Sequence, residues 1–265
     1  MDNLESETEF FHEISKRVIR YVKNTNQDIS VVVSKGVGDY ATQMDIDVEQ
    51  LIVTELAKQF PNDSILAEES HADTEITDGR IWIIDPICGT NNLGRGTNIF
   101  CTNIALADGG KLIASCVIDH SQADYYWSAG NNKINTGHNQ YVLAPNNELG
   151  LKIDVNFGSA KKSGDKNYQL KHNLFLLRIM EGTNYDMVSL NSSLSNLYTA
   201  LGKLDGFVDL FNHAWDVCAA SFLIQQAGGV ITALDGSPWT LTTIGAIAGR
   251  TPEIHKQLLD LFVSS

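Results

Sequence analysis

The segment Trp82-Ile83-Ile84-Asp85-Pro86-Ile87-Cys88-Gly89-Thr90-Asn91-Asn92 constrains this chain more than any other. Ile81 to Ile84 is a short, unbroken apolar run, the pattern of a buried strand rather than a half-solvated one. The run delivers a carboxylate, Asp85, at its end and then turns through Gly89 toward a helix start. Strand ends are where α/β proteins place their sites. Backbone N–H groups near Gly89 and Thr90, at the positive end of that helix, offer a seat for phosphate oxygens. The bland alternative is an Asp-Pro turn with an Asx-type bend.

Around this segment the apolar spacing sorts the chain into two lobes. Phe10, Ile14, Val18, Tyr21 and Val22 form the stripe of an amphipathic helix. After the glycine-containing stretch Lys35-Gly36-Val37-Gly38, Leu51, Ile52, Leu56 and Phe60 form a second stripe that stops at Pro61. Two helices are therefore expected before the first clear strand. β-prone runs follow at Ile65–Ala67, Ile81–Ile84, Thr102–Ala107, Ile113–Ile118 and Tyr125–Trp127, which predicts a sheet stacked on the helix pair. From about residue 150 the elements alternate: helices near Asn173–Met180 and Ser192–Leu201, a strand at Gly206–Leu210, a helix over Trp215–Ala227 closed by Gly228-Gly229, and a strand at Val230–Leu234. A last helix starts at Thr251-Pro252-Glu253 and buries Leu258, Leu259 and Phe262. One catalytic unit spanning 1–265 is expected, with an α+β lobe over about 1–150 and an α/β lobe over 151–265.

Composition narrows the function classes. The 19 basic and 32 acidic residues leave a net charge of −13, which argues against a nucleic acid polymer or an anionic membrane as partner. Hydrophobic residues make up 43% and charged residues 19%, the balance of a folded globular chain. Cys88, Cys101, Cys116 and Cys218 lack Cys-x-x-Cys spacing and the start Met1-Asp2-Asn3-Leu4-Glu5 is acidic, so reduced thiols in a cytoplasmic setting are expected. No apolar run approaches the roughly 20 residues that span a bilayer.

Three further acidic groups accompany Asp85. Glu68 and Glu69 end the strand Ile65–Ala67, Asp45 and Asp47 open the second helix, and Asp216 opens the helix after Ala214-Trp215. Each alone reads as a solvated or capping acid. Together they supply the hard oxygen ligands that Mg²⁺ prefers.

The order Asp39 to Asp45, Glu68-Glu69, Asp85-Pro86-Ile87-x-Gly89-Thr90, Trp215-Asp216 and Ala227-Gly228-Gly229 resembles the inositol monophosphatase family of metal-dependent, lithium-sensitive phosphatases. The resemblance spans nearly the whole chain. It implies a layered αβαβα fold, often dimeric, that hydrolyses small phosphate monoesters of inositol, sugar or nucleotide type by attack of a metal-activated water. On that resemblance Glu68, Asp85, the Ile87 carbonyl and Thr90 hold a first Mg²⁺; Asp85 is shared with a second, held also by Asp216 and by position 88. Asp45, Glu68 and Thr90 orient the attacking water, Gly89 and Thr90 face the phosphate, Asp209 contacts substrate hydroxyls, and Asn191-Ser192-Ser193 falls at a sugar-binding turn. A homodimer is implied by the same likeness.

The chain departs from the pattern at Cys88, where the family carries Asp. A thiol is a poor ligand for Mg²⁺, so the site is expected to bind its second ion weakly or to prefer a softer one such as Mn²⁺ or Zn²⁺. A Cys-x₅-Arg phosphatase is excluded by spacing, since six residues separate Cys88 from Arg95. A small buried thiol without chemistry, and a catalytically impaired relative that binds phosphate ligands or regulates, are the competing readings. Ala67, Asn91 and Gln226 replace Gly, a hydroxyl residue and Glu and alter packing more than reaction type. Lys161 and Lys162, within 156–166, read as a solvated basic loop rather than a second phosphate site.

Overall fold

A computed structural model describes residues 4–25, 31–36, 39–137, 141, 150–156, 164 and 166–264. In chain order the first half holds α1 (Glu5–Asn24), β1 (Val31–Gly36), β2 (Asp39–Thr42), α2 (Gln43–Gln59), β3 (Ser64–Ala67), β4 (Ile81–Cys88), α3 (Thr90–Leu93), β5 (Cys101–Asp108), β6 (Lys111–Asp119), β7 (Asp124–Ser128) and β8 (Asn135–Thr136). The second half holds β9 (Lys152–Val155), α4 (Lys166–Gly182), β10 (Asp186–Val188), α5 (Leu194–Ala200), β11 (Gly206–Asp209), α6 (Ala214–Gln226), β12 (Val230–Thr232), β13 (Ala246–Gly249) and α7 (Pro252–Val263).

Strand periodicity generates the layers. In β4, Trp82 and Ile84 join Phe10, Phe11, Ile14 and Val18 of α1 and Val48, Ile52 and Leu56 of α2, while Ile81 and Ile83 join Leu194, Leu197, Val217, Ala220 and Leu223 of α5 and α6. Side chains alternate across a strand, so one sheet is covered by a helix pair on each face. The second sheet repeats the device: Phe207, Ala246 and Ala248 face α5 and α6, and Val208 and Ile247 face Phe175 of α4 and Leu258 and Phe262 of α7. The outcome is the expected αβαβα sandwich. Each fully buried Leu, Ile or Phe in these layers contributes roughly 1.5–3 kcal/mol.

The first sheet runs β3-β4-β5-β6-β7-β8, with β3 parallel to β4 and every later pair antiparallel. The second runs β10-β9-β11-β13-β12, with β9 parallel to both β10 and β11, and β13 antiparallel to its neighbours. Because β3 and β4 are parallel with Ala67 opposite Ile84, Glu68, just past the end of β3, and Asp85, within β4, come to the same end of the sheet.

The structure corrects the expectation that two helices precede the first strand. An antiparallel hairpin, β1 with β2, lies between α1 and α2. Its β-prone Val31-Val32-Val33 was masked by the glycines that follow; Val37 and Gly38 of that stretch lie outside the described residues. Strands β9 and β13 escaped the periodic reading because Lys152-Ile153-Asp154-Val155 buries an acid and Ala246-Ile247-Ala248-Gly249 is small-residue chain, and in both the burial rather than propensity decides. Lys161 and Lys162 lie outside the described residues. Among the described residues no helix is long and apolar enough to cross a membrane.

Candidate active site

Four backbone ends converge on the site. β3 and β4 bring Glu68 and Asp85, and the first turns of α2 and α6 bring Asp45 and Asp216. Both helix-borne acids occupy the third helical position, where a carboxylate reaches back to the N–H three residues earlier. The Thr42 N–H donates to Asp45 Oδ2 at 2.8 Å, and the His213 N–H donates to an Asp216 oxygen at 2.6 Å. The capping role anticipated for these acids is thus real, and it fixes the direction of the carboxylates rather than excluding a chemical role.

Asp45 is fully buried and well satisfied. The hydroxyl of Thr42 also donates to Oδ2, and the Thr90 hydroxyl donates to Oδ1 at 2.8 Å while lying 3.0 Å from the Ile87 carbonyl. Burial raises its pKa above the ordinary value, and nearby Glu68 adds to that, against the lowering pull of the three hydrogen bonds.

Asp85 is the opposite case. It is 1% exposed, and among the described residues neither carboxylate oxygen has a hydrogen-bond partner. Burial holds its carboxyl well above the usual carboxylate range, reinforced by Cys88, Glu68 and Asp216 alongside. One ligand atom from each of Asp85, Cys88 and Asp216 lies within 4.8 Å of the others. A buried, unpartnered carboxylate flanked by acids is costly unless a cation completes it. Asp85, Cys88 and Asp216 could together hold a metal ion, and Glu68 adds a further negative charge near Asp85.

Cys88 is built into a network of its own. Its Sγ lies 2.7 Å from Ser193 Oγ and accepts from the Ser193 N–H at 3.2 Å, while the Ser192 hydroxyl donates to the Cys88 carbonyl at 2.8 Å. Ser193 Oγ also donates to the Asp216 carbonyl at 2.6 Å. Ser192 and Ser193, expected to contact substrate, are therefore buried and hold the Cys88 turn to the start of α6. Contact with the Cys101 thiol and burial push the Cys88 thiol pKa well up. Gly89 follows at φ +110°, where a Cβ would stand 2.8 Å from the Ile99 carbonyl oxygen, so only glycine fits the turn. The helix expected after it is a single turn, Thr90–Leu93, too short for the dipole argument made from sequence.

Other candidates separate. Asp47 is tied to Tyr21 and Gln43 rather than turned to the site. The Glu69 N–H donates to Glu49, an acid 2% exposed that the sequence reading passed over and that anchors the Glu68-Glu69 turn at 2.7 Å. Asp209 stands outside the three-residue cluster, next to buried Asp154, whose carboxyl burial pushes up to about 7 while it accepts from the Leu190 N–H at 2.7 Å. His120 was also missed. Thr102 donates to the Pro86 carbonyl at 2.7 Å, so His120 Nε2, 2.9 Å away, is the donor to Thr102, and burial holds this imidazole neutral at a pKa of about 3. Only the opposed register of β4 and β5 and the fold of β6 bring these residues under Asp85-Pro86, and no local spacing announces them.

The layered fold and its acid-lined edge define a protein of the sugar-phosphatase-like αβαβα class. The profile of the Inositol monophosphatase family matches residues 3–265. This chain belongs to that family. An inositol monophosphatase of Dictyostelium discoideum is 27% identical over 98% of this chain and 94% of its own length. A Nus factor SuhB of Pseudomonas aeruginosa is 29% identical over 84% of this chain and 83% of its own. The extragenic suppressor protein suhB of Bartonella henselae superposes with a TM-score of 0.84 at 23% identity, covering 97% of this chain and 98% of that one.

Proposed function

We propose that this protein hydrolyses a small phosphate monoester, of an inositol, a sugar or a nucleotide, with a divalent cation held by Glu68, Asp85, the Ile87 carbonyl, Cys88 and Asp216. The observation that carries the reading is Asp85, a buried carboxylate whose two oxygens have no partner among the described residues, set among further acids. The cation, Mg²⁺ or a softer ion such as Mn²⁺ or Zn²⁺, supplies charge neutralisation at the phosphate and a lowered pKa for the attacking water.

The chain's own residues orient and deprotonate that water. Thr90 commits its single hydroxyl proton toward Asp45, which leaves its oxygen free to accept a hydrogen bond from water. Asp45, made more basic by burial, takes the proton through Thr90. Glu68 presents the second carboxylate to the same water. Gly89 and Thr90 offer the turn against which phosphate sits, and Asp209, with Ser192 and Ser193 behind the turn, bounds the side where substrate hydroxyls lie. The reading places the protein in the cytoplasm as a homodimer, with neither a nucleic acid polymer nor a membrane as partner, in line with its −13 charge.

The test is phosphate release from inositol, fructose and nucleotide phosphates, with Mg²⁺, Mn²⁺ and Zn²⁺ each supplied separately. Turnover of one ester under any of these ions is expected, with Mn²⁺ at least as effective as Mg²⁺ because of the thiol. A second reading, a protein that binds phosphate esters without turning them over, is favoured by the thiol at position 88; a relative is named as a Nus factor. Cys88→Asp separates the two. Restored oxygen ligation should tighten Mg²⁺ binding by roughly tenfold or more; activity appearing only in that variant would establish the non-catalytic reading for the natural chain.

A further inference from the structure

Cys101 has no part in the site as described, yet it borders it. In the β4–β5 register Cys88 and Cys101 are directly opposed partners, and both side chains pack in the core between the two sheets. Opposed residues of antiparallel strands have Cα atoms about 4.5–5.5 Å apart. A disulfide spans Cα separations of about 4.4–6.8 Å, a range that includes the spacing of such opposed partners. Cys101 lies close enough to Cys88 to help raise its thiol pKa. Ser192 Oγ lies against both residues, 3.9 Å from Cys101 Sγ and bonded to the Cys88 carbonyl at 2.8 Å. Cys88 is the more accessible of the two, and Cys101 is buried behind it. The remaining thiols face elsewhere: Cys116 pairs with Ser15 at 3.4 Å toward α1, and Cys218 lies within α6.

We propose that Cys88 and Cys101 are a dithiol that closes to a disulfide on exposure to a peroxide, and that closure withdraws the sulfur donor from Asp85 and Asp216 and weakens divalent-ion binding there. The Cys88 thiol first gives up its proton, a step its raised pKa makes slow, and the thiolate attacks one peroxide oxygen, breaking the O–O bond to give a sulfenic acid and, with that proton, one water. The Cys101 sulfur then attacks the Cys88 sulfur and expels the sulfenic oxygen as a second water, so two thiol protons and two electrons pass to the peroxide as one S–S bond forms. A dithiol reductant reverses the step. The effect on ion binding rests on the cation site proposed above; formation of the bond does not.

The full-length chain treated with hydrogen peroxide, alkylated in denaturant and mapped by peptide mass should yield a linked Cys88–Cys101 pair, with two of the four free thiols lost and both recovered by dithiothreitol. Mn²⁺, titrated by its electron paramagnetic resonance signal, should bind the oxidised protein roughly tenfold more weakly than the reduced one. Reduced Cys101→Ala should bind Mn²⁺ as reduced wild type does; weaker binding by that variant would make Cys101 itself a ligand and overturn the switch. Cys88 recovered as sulfinic acid beside a free Cys101 overturns the pairing, and a linked pair with unchanged Mn²⁺ affinity overturns the switch. Should Cys101→Ala not fold, the wild-type map decides alone. Absence of phosphate release from the reduced protein would count against the phosphatase reading and leave the peptide map unaffected.

Discussion

Asp45 and Asp85 are buried carboxylates in one site, and the fold treats their oxygens in opposite ways. Asp45 receives a backbone N–H and two hydroxyls, whereas Asp85 receives no hydrogen bond from the described residues. Both have raised pKa values because burial disfavours the charged form, yet only Asp45 has hydrogen bonds to counter it. A satisfied buried acid orients other groups and contributes to stability. An unsatisfied one is a standing cost that makes sense only when a cation occupies its lone pairs.

The largest test of that contrast is Asp85→Asn. Phosphate release should fall by about a thousandfold or more, since the group shared by the whole acid cluster is lost. In EDTA the same variant should melt no lower than wild type, because the change also removes a buried acid from beside Cys88, Glu68 and Asp216. Thermal denaturation with and without divalent ion reads this directly; a large loss of metal-free stability would show that Asp85 has partners in the fold after all.

Asp45→Ala should behave in the reverse sense. It strands the Thr42 N–H and hydroxyl, while the Thr90 hydroxyl keeps the Ile87 carbonyl, and should cost about 2–3 kcal/mol in urea unfolding whether or not an ion is present. A variant as stable as wild type would erase the distinction between the two acids.

Asp154 is intermediate, bonded through one oxygen to the Leu190 N–H and pushed by burial to about 7, well above the usual carboxylate range. A raised acid favours the folded state while protonated, so its contribution is complete below the unfolded value and is lost as pH rises through about 7. Asp154→Asn keeps an acceptor for Leu190 and should gain roughly 1–2 kcal/mol over wild type at pH 8, a difference that shrinks toward zero near pH 4. Unfolding free energies at several pH values check it, and a constant difference would assign the effect to packing.

Much of this molecule is legible in one dimension. The stripe Phe10, Ile14, Val18 is the buried face of α1, and the apolar run Ile81–Ile84 is a strand covered on both faces. Asp45, Glu68, Asp85 and Asp216 are marked because each stands at the end of a strand or the start of a helix, where local signals are strongest. Less legible were the short strands β9 and β13, whose partners are remote in sequence, and the hairpin ahead of α2, whose short strands flank a glycine-containing stretch.

By itself the sequence determined the layered architecture, the family and the substitution at position 88, because apolar periodicity and motif order are properties of neighbours along the chain. Tertiary structure alone decided that Asp45 is saturated and Asp85 bare, that Ser192 and Ser193 brace the Cys88 turn, that Glu49 and His120 support the site, and that Cys101 lies opposite Cys88. Those are contacts between residues distant in the chain, set by strand register and by how the layers stack, and no local spacing encodes them.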